Sequence, residues 1–207
     1  MDQQSDTYKT IQSPSEGLYK DKGSRFIALA FPADDQEQVR TILEELKKEY
    51  HDARHHCYAW MIGHERTRWR ANDDGEPSGT AGKPILGQIN SAGLTNILIV
   101  VIRYFGGTLL GVSGLINAYR TAAADALKNA EVVTLTVQEH HEMVFPYAAM
   151  NDVMKVLKEE HVSQSGQQFG QECRILISFR LSAAERVIAR LSRIEGVKLT
   201  LREKNDD

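Results

Sequence analysis

The sequence is poor in cysteine and has no long apolar run. Its two cysteines, Cys57 and Cys173, lie far apart and form no Cys-x-x-Cys pair, which argues against a disulfide scaffold and a cysteine-rich zinc site. The longest aliphatic run, 97–102, is far shorter than the ~20 residues that span a bilayer. The first residues also lack the charged-then-apolar pattern of a signal peptide. We therefore expect a cytoplasmic protein without a membrane partner.

A strong charge of either sign is also missing. Lysine and arginine number 25 against 28 aspartates and glutamates, a net charge of −3. This balance excludes a histone-like polycation or a long basic arm as the main feature of the protein. A local basic surface stays open. The 42% hydrophobic and 26% charged residues are ordinary for a globular protein and argue against general disorder.

The predicted elements form two α+β domains, of residues 1–132 and 133–207. In the first, a short strand is expected over 8–11 and further strands over 26–31, 57–62 and 66–70. An amphipathic helix over 35–50 begins with a capping box of Asp35 and Gln38. A strand over 96–103 is apolar on both faces and is therefore expected to be buried. A helix over about 112–130 follows it.

After residue 131 the pattern starts again. One strand over 132–145, a helix opened by Pro146, two strands, a second helix and a last strand give the order β-α-β-β-α-β. Ser182 and Glu185 are predicted to form the capping box of that second helix. This order is the ferredoxin-like arrangement.

The segment from Asp73 to Lys83 is the richest in chemical groups. Its glycines and helix entry could present backbone N–H groups and Lys83 to a phosphate, or its three carboxylates could hold Mg²⁺. It is not a Walker A loop, because Pro77 and Pro84 occupy required positions. A simple turn that satisfies backbone geometry is the third interpretation.

A basic and aromatic set could form a nucleic-acid interface. Arg66, Arg68 and Arg70 alternate, so a strand would place them on one face. We expect them to share a surface that contacts a phosphate backbone and stacks bases with four further residues: Lys83, Arg103, Tyr104 and Phe105. The alternative is an exposed strand kept soluble by its charge.

The histidines do not form a recognisable metal site. His64-Glu65 is not followed by the second histidine of an HExxH motif, and His51, His55 and His56 have no thiolate or carboxylate at ligand spacing. We expect neither a metal nor a cofactor.

Three blocks, 55–59 (HHCYA), 72–82 (NDDGEPSGTAG) and 101–111 (VIRYFGGTLLG), resemble the signature of the IMPACT family, in its bacterial YigZ-type branch. The resemblance implies a ribosomal-protein-S5-domain-2-like fold for the first domain and a ferredoxin-like second domain. It also implies a family motif and ligand loop of these residues: His55, Asp73, Asp74, Gly75, Glu76, Pro77, Ser78, Gly79, Thr80, Gly82, Gly106 and Gly107. Eukaryotic members restrain the kinase that senses uncharged tRNA, and RNA or ribosome binding is the usual inference for bacterial ones.

Three functions follow as expectations. The first is a non-enzymatic, translation-associated factor that binds RNA or the ribosome through the basic and aromatic surface. The second is a protein-interaction module that regulates a translation or stress factor. The third is an enzyme that uses the Asp73–Lys83 loop to bind Mg²⁺ or a phosphate.

Overall fold

The structure, a computed structural model, describes residues 6–202. It divides into two compact units: Tyr8–Leu135, and Thr136 onward together with Asp6 and Thr7. The predicted α+β organisation is confirmed, although the division falls a few residues after 132. No helix within the described range is long and apolar enough to cross a membrane.

The unit Tyr8–Leu135 is built on an antiparallel five-stranded sheet with helices on both faces. Its strands, of which the first and the last extend one residue past the unit boundary, are β1 (Thr7–Ile11), β2 (Ser15–Asp21), β3 (Ser24–Pro32), β4 (His55–Ile62), β5 (Arg68–Asn72), β6 (Ile97–Tyr104) and β7 (Val132–Thr136). Its helices are α1 (Gln36–Glu49), α2 (Gly82–Ser91) and α3 (Gly111–Lys128). The sheet order is β2-β3-β6-β4-β5, and β1 pairs with β7 in a separate two-stranded sheet.

The central strand β6 lies between the two helical layers that cover the sheet. Its residues from Ile97 to Arg103 are all buried, with one face packed against α2 and α3 and the other against α1. Helix α1 begins where the sequence predicts, because the Asp35 carboxylate accepts a 2.8 Å hydrogen bond from the Gln38 amide.

Two sequence predictions in this unit need correction. Strand β2 was not expected, since residues 15–21 are mostly polar. The strand predicted over 66–70 lies over 68–72 instead, because Arg66 adopts a left-handed backbone (φ +57°) in the turn after Gly63.

The other unit has the predicted β-α-β-β-α-β order. It comprises β8 (Gln138–Pro146), α4 (Met150–Glu159), β9 (Ser163–Gln168), β10 (Glu172–Arg180), α5 (Ala184–Leu191) and β11 (Lys198–Arg202). Its antiparallel sheet has the order β11-β8-β10-β9, and the apolar face packs under both helices. The single strand predicted over 132–145 is therefore two strands, β7 and β8.

Asp6 explains why the beginning of the described chain belongs with this unit. Its carboxylate accepts hydrogen bonds from the Arg180 guanidinium at 2.9 and 3.0 Å and from the Ser182 hydroxyl at 2.5 Å. Those bonds, Arg180 first, lower the pKa of Asp6 to about 2. The predicted capping box of Ser182 is wrong, because this hydroxyl donates to Asp6 and α5 begins after a 3-10 turn.

Candidate functional site

The segment between β5 and α2 wraps around the carboxylate of Asp73. One Asp73 oxygen accepts hydrogen bonds from the amides of Ala81 (3.0 Å) and Gly82 (2.8 Å), and the other accepts one from Gly79 (2.8 Å). Burial alone would raise the pKa of Asp73, but the three amides outweigh it and hold the pKa below its ordinary value. The glycine-rich loop therefore encloses an anion that belongs to the chain itself.

Asp74 attaches the same loop to the beginning of β4. Its side-chain oxygen accepts a 2.7 Å hydrogen bond from the His56 amide, and its carbonyl oxygen lies 2.8 Å from Nδ1 of His55. Asp74 and Gly75 both have a positive φ, +41° and +86°, which forms the tight turn that this attachment needs. The HH and DDG blocks of the sequence are thus one joined structure.

Glu76 lies at the centre of a buried polar network. Its Oε1 accepts hydrogen bonds from the Arg103 guanidinium at 2.6 Å and from the Tyr119 hydroxyl at 2.7 Å. The Cys57 thiol lies 3.3 Å from that hydroxyl and 2.9 Å from the Asp73 carbonyl oxygen. Burial, above all, raises the pKa of both Cys57 and Tyr119, so both stay protonated at neutral pH.

These contacts engage several of the groups named for the predicted phosphate or Mg²⁺ ligand at the loop, which stays a prediction. The amides that would hold a phosphate are bonded to Asp73, and the Glu76 carboxylate is paired with Arg103. Among the residues that the structure describes, no group of three or more His, Cys, Asp or Glu side chains could hold a metal ion. The loop is a structural element that joins β4, β5, β6 and α3.

The predicted basic set does not form one face. Arg103 is only 6% exposed and lies on the sheet face toward α2 and α3. Arg68 and Arg70 are exposed, and Arg70 lies on the opposite face beside α1, where Trp60 also lies. Arg66 is outside the strand and donates a 2.9 Å hydrogen bond to the Asn90 side chain. The predicted surface is not formed, because the alternation of side chains along the strands and the ion pair with Glu76 place its residues on different faces of the sheet.

Tyr104 instead lies beside cations that are absent from the predicted set. The strand register places Lys20 opposite Arg25 and Arg25 opposite Tyr104, so these three side chains form a row across β2, β3 and β6. The Arg25 guanidinium lies 4.7 Å from the centre of the Tyr104 ring. We call this row, with Lys22, the hairpin surface; the exposed Phe105 follows Tyr104, and the centre of its ring lies 5.6 Å from the Arg103 guanidinium. The KDKG turn was the available signal, but it falls in a strand pair that was not predicted.

Glycine at 106 is required by a close approach of two backbones. A Cβ atom on Gly106 would lie 1.9 Å from the carbonyl carbon of Gly23, at the tip of the β2-β3 hairpin. The Gly106 amide also donates a 3.1 Å hydrogen bond to the Ser24 hydroxyl. This contact holds the hairpin against the end of β6 and so forms the hairpin surface.

We compared the chain with known protein families and structures. The Impact N-terminal domain model matches residues 22–127. The chain belongs to the IMPACT family. It is 37% identical to the IMPACT family member YigZ of Escherichia coli K12 over 138 residues, 66% of this chain and 68% of that protein. It is also 30% identical to an IMPACT family member of Haemophilus influenzae over 87% of this chain and 88% of that protein.

A solved structure supports the two-domain fold of this IMPACT-family chain. The crystal structure of a hypothetical protein superposes with a TM-score of 0.73 at 27% identity, and covers 97% of this chain and 99% of that one. The residues matched by the family model include Asp73, Glu76, Arg103 and Tyr119. The polar network thus lies inside the part of the chain that defines the family.

Proposed function

We propose that this chain is a non-enzymatic, translation-associated regulatory factor that binds RNA, free or in the ribosome, through the hairpin surface. Membership of the IMPACT family supports the role in translation, since the resemblance implies that role for eukaryotic members. The observation that carries the RNA-binding part is the cross-strand row of Lys20, Arg25 and Tyr104.

The shape and charge of the hairpin surface support this proposal. A depression of about 520 Å³ is lined by residues 20–25 and Tyr104, and Asp21 is the single acid among three cations. Phe105, at the neighbouring end of β6, is 52% exposed. Cations beside accessible aromatic rings suit a single-stranded nucleic acid, because they contact phosphates while the rings stack on bases. The net charge of −3 fits a local patch of this size.

The test measures RNA binding at several salt concentrations. Filter binding with labelled single-stranded RNA and cosedimentation with ribosomes should both show binding that weakens as salt rises. A variant with Lys20→Ala, Lys22→Ala and Arg25→Ala should lose up to about 2 units of the log-log salt slope, since each phosphate contact on a single strand contributes about 0.7. Phe105→Ala should weaken binding by about 1–3 kcal/mol if the ring stacks on a base.

The matched control removes three exposed lysines elsewhere, at Lys128, Lys155 and Lys158. It changes the net charge equally and should leave both affinity and salt slope nearly unchanged. Absence of binding at low salt, or an equal loss in the control, would contradict the proposal.

A further inference from the structure

Strand β5 forms an open edge of the five-stranded sheet. It pairs with β4 on one side, and no other strand within residues 6–202 pairs with its outer side. Its first three residues, Arg68, Trp69 and Arg70, are exposed, and the Trp69 side chain is 57% exposed. An edge of this kind offers unpaired backbone N–H and C=O groups to a further strand.

A groove runs between this edge and α1. Its volume is about 390 Å³, and its floor is formed by Trp60 and Tyr58 of β4 together with Leu43 of α1. Trp60 itself is buried. The register pairs Arg70 with Trp60, so the guanidinium side chain of Arg70 stands at the border between groove and edge.

The rim of the groove is cationic. Arg40 and Lys47 of α1 line it together with Arg70 of β5, and Glu44 is the one carboxylate among the lining residues. In the described part of the chain, Lys47, Arg68 and Arg70 have no ion-pair partner, while Arg40 has only exposed carboxylates at 3.9 Å, on Glu37 and Glu44. Most of this positive charge is therefore available to a ligand.

We propose that this edge and groove bind an extended acidic segment of a partner protein, which pairs with β5 as an additional strand. Strand pairing would satisfy the open backbone edge, and the groove beside it would receive side chains of the added strand. The cations select a negatively charged segment. We call this site the edge groove.

The pleat of the sheet predicts the sequence pattern of the partner. Side chains opposite Arg68 and Arg70 point to the face of α1, so acidic residues are expected at alternate positions. The side chain between them points to the other face, beside Trp69, and is expected to be apolar. The pattern is acidic-apolar-acidic.

RNA fits the edge groove less well. Its backbone cannot provide the alternating donors and acceptors that an open strand edge pairs with. This site also lies on different strands from the hairpin surface, so the two proposals can be tested separately.

The experiment uses a fluorescently labelled peptide in which glutamate and valine alternate. Fluorescence anisotropy should show saturable binding to the full chain. A peptide of the same composition, with its glutamates and valines in separate blocks, should bind at least about 10-fold more weakly, a difference of about 1.4 kcal/mol. Hydrogen exchange should show that those amides of Arg68–Arg70 that do not already bond to β4 become protected when the alternating peptide binds, because strand pairing engages them.

Charge-reversal substitutions test whether the cations of the edge groove bind the peptide. Arg68→Glu with Arg70→Glu should weaken peptide binding by at least about 10-fold, and Lys47→Glu provides a second test on a different element. The control, Arg174→Glu with Lys198→Glu, reverses two cations on a sheet of the other unit and should bind within about 2-fold of the unmodified chain. The Lys20/Lys22/Arg25 variant should also keep its peptide affinity.

Three results would overturn the proposal. The first is no saturable binding of the alternating peptide, or equal binding of the block peptide. The second is binding without protection of the β5 amides, which would indicate only nonspecific charge attraction. The third is tight binding of single-stranded RNA that Arg68→Glu with Arg70→Glu abolishes, which would assign the edge groove to nucleic acid.

Discussion

The Arg103 guanidinium donates a 2.6 Å hydrogen bond to the Glu76 carboxylate, and both side chains are almost completely buried. The two residues come from different elements, the end of β6 and the loop before α2. Arg103 also lies between the rings of Phe26 and Phe105, at 5.5 and 5.6 Å from their centres. This pair joins the two most distinctive blocks of the sequence, so those blocks form one buried structural connection.

Glu76→Gln should strongly destabilise the unit Tyr8–Leu135. It leaves the Arg103 charge buried without a counter-charge, which costs about 3–5 kcal/mol of the free energy of unfolding. Urea unfolding followed by tryptophan fluorescence measures this unit alone, because both tryptophans, Trp60 and Trp69, lie in it. The exposed ion pair of Arg40 and Glu44 offers the control: Glu44→Gln should change the free energy of unfolding by no more than about 1 kcal/mol. Equal effects of the two substitutions would contradict the assigned role of Glu76.

Asp73→Ala should release the loop before α2. Three amides lose their acceptor, and we expect a loss of about 3 kcal/mol in the free energy of unfolding. Asp73→Asn keeps one acceptor oxygen and should cost less. Hydrogen exchange should become faster at Gly79, Ala81 and Gly82 in Asp73→Ala. Unchanged exchange at these three amides would show that the carboxylate does not organise the loop.

His56 should make stability depend on pH. Burial lowers the pKa of His56 below its ordinary 6.5, and the Asp74 carboxylate, 3.9 Å away, only partly offsets this. The unfolded chain then binds a proton more readily than the folded one. The free energy of unfolding is therefore at its full value well above pH 6.5. It falls as the pH drops below 6.5, by up to about 1.4 kcal/mol per pH unit.

The measurement is urea unfolding between pH 7.5 and 5, compared for the unmodified chain and His56→Gln. The variant lacks this titrating group, so its stability should fall less steeply below pH 6.5. His55 and Lys47, which also lie near, are unchanged in the comparison. Parallel curves for the two proteins would exclude His56 as the source.

Gly106→Ala should displace the β2-β3 hairpin. The new Cβ would meet backbone at 1.9 Å, which no rotation of a side chain can relieve, so we expect a loss of several kcal/mol, about 3 or more. Gly87→Ala, in the middle of α2, is the control because a Cβ there meets nothing within 4 Å. It should be neutral or stabilising by up to about 1 kcal/mol. Comparable destabilisation by both substitutions would argue against the backbone contact.

Local sequence patterns predicted the elements that depend on local physics. Helix α1 follows from its apolar spacing and the Asp35 cap, and the βαββαβ order of the second unit follows from alternating patterns. Strand β6 was predicted to be buried because both of its faces are apolar. Strand β2 was missed because a polar strand has no such pattern and depends on pairing with β3 and on packing against α3.

The candidate site shows where that limit lies. The sequence by itself identified the blocks that hold Asp73, Glu76 and Arg103 as candidate sites, because their residue types are unusual together. Only the tertiary structure decided that these groups bind one another, and that Arg70 and Arg103 lie on opposite faces of the sheet. The physical reason is that periodicity depends on neighbours in the chain, whereas the partner of a buried charge comes from a distant segment brought close by folding.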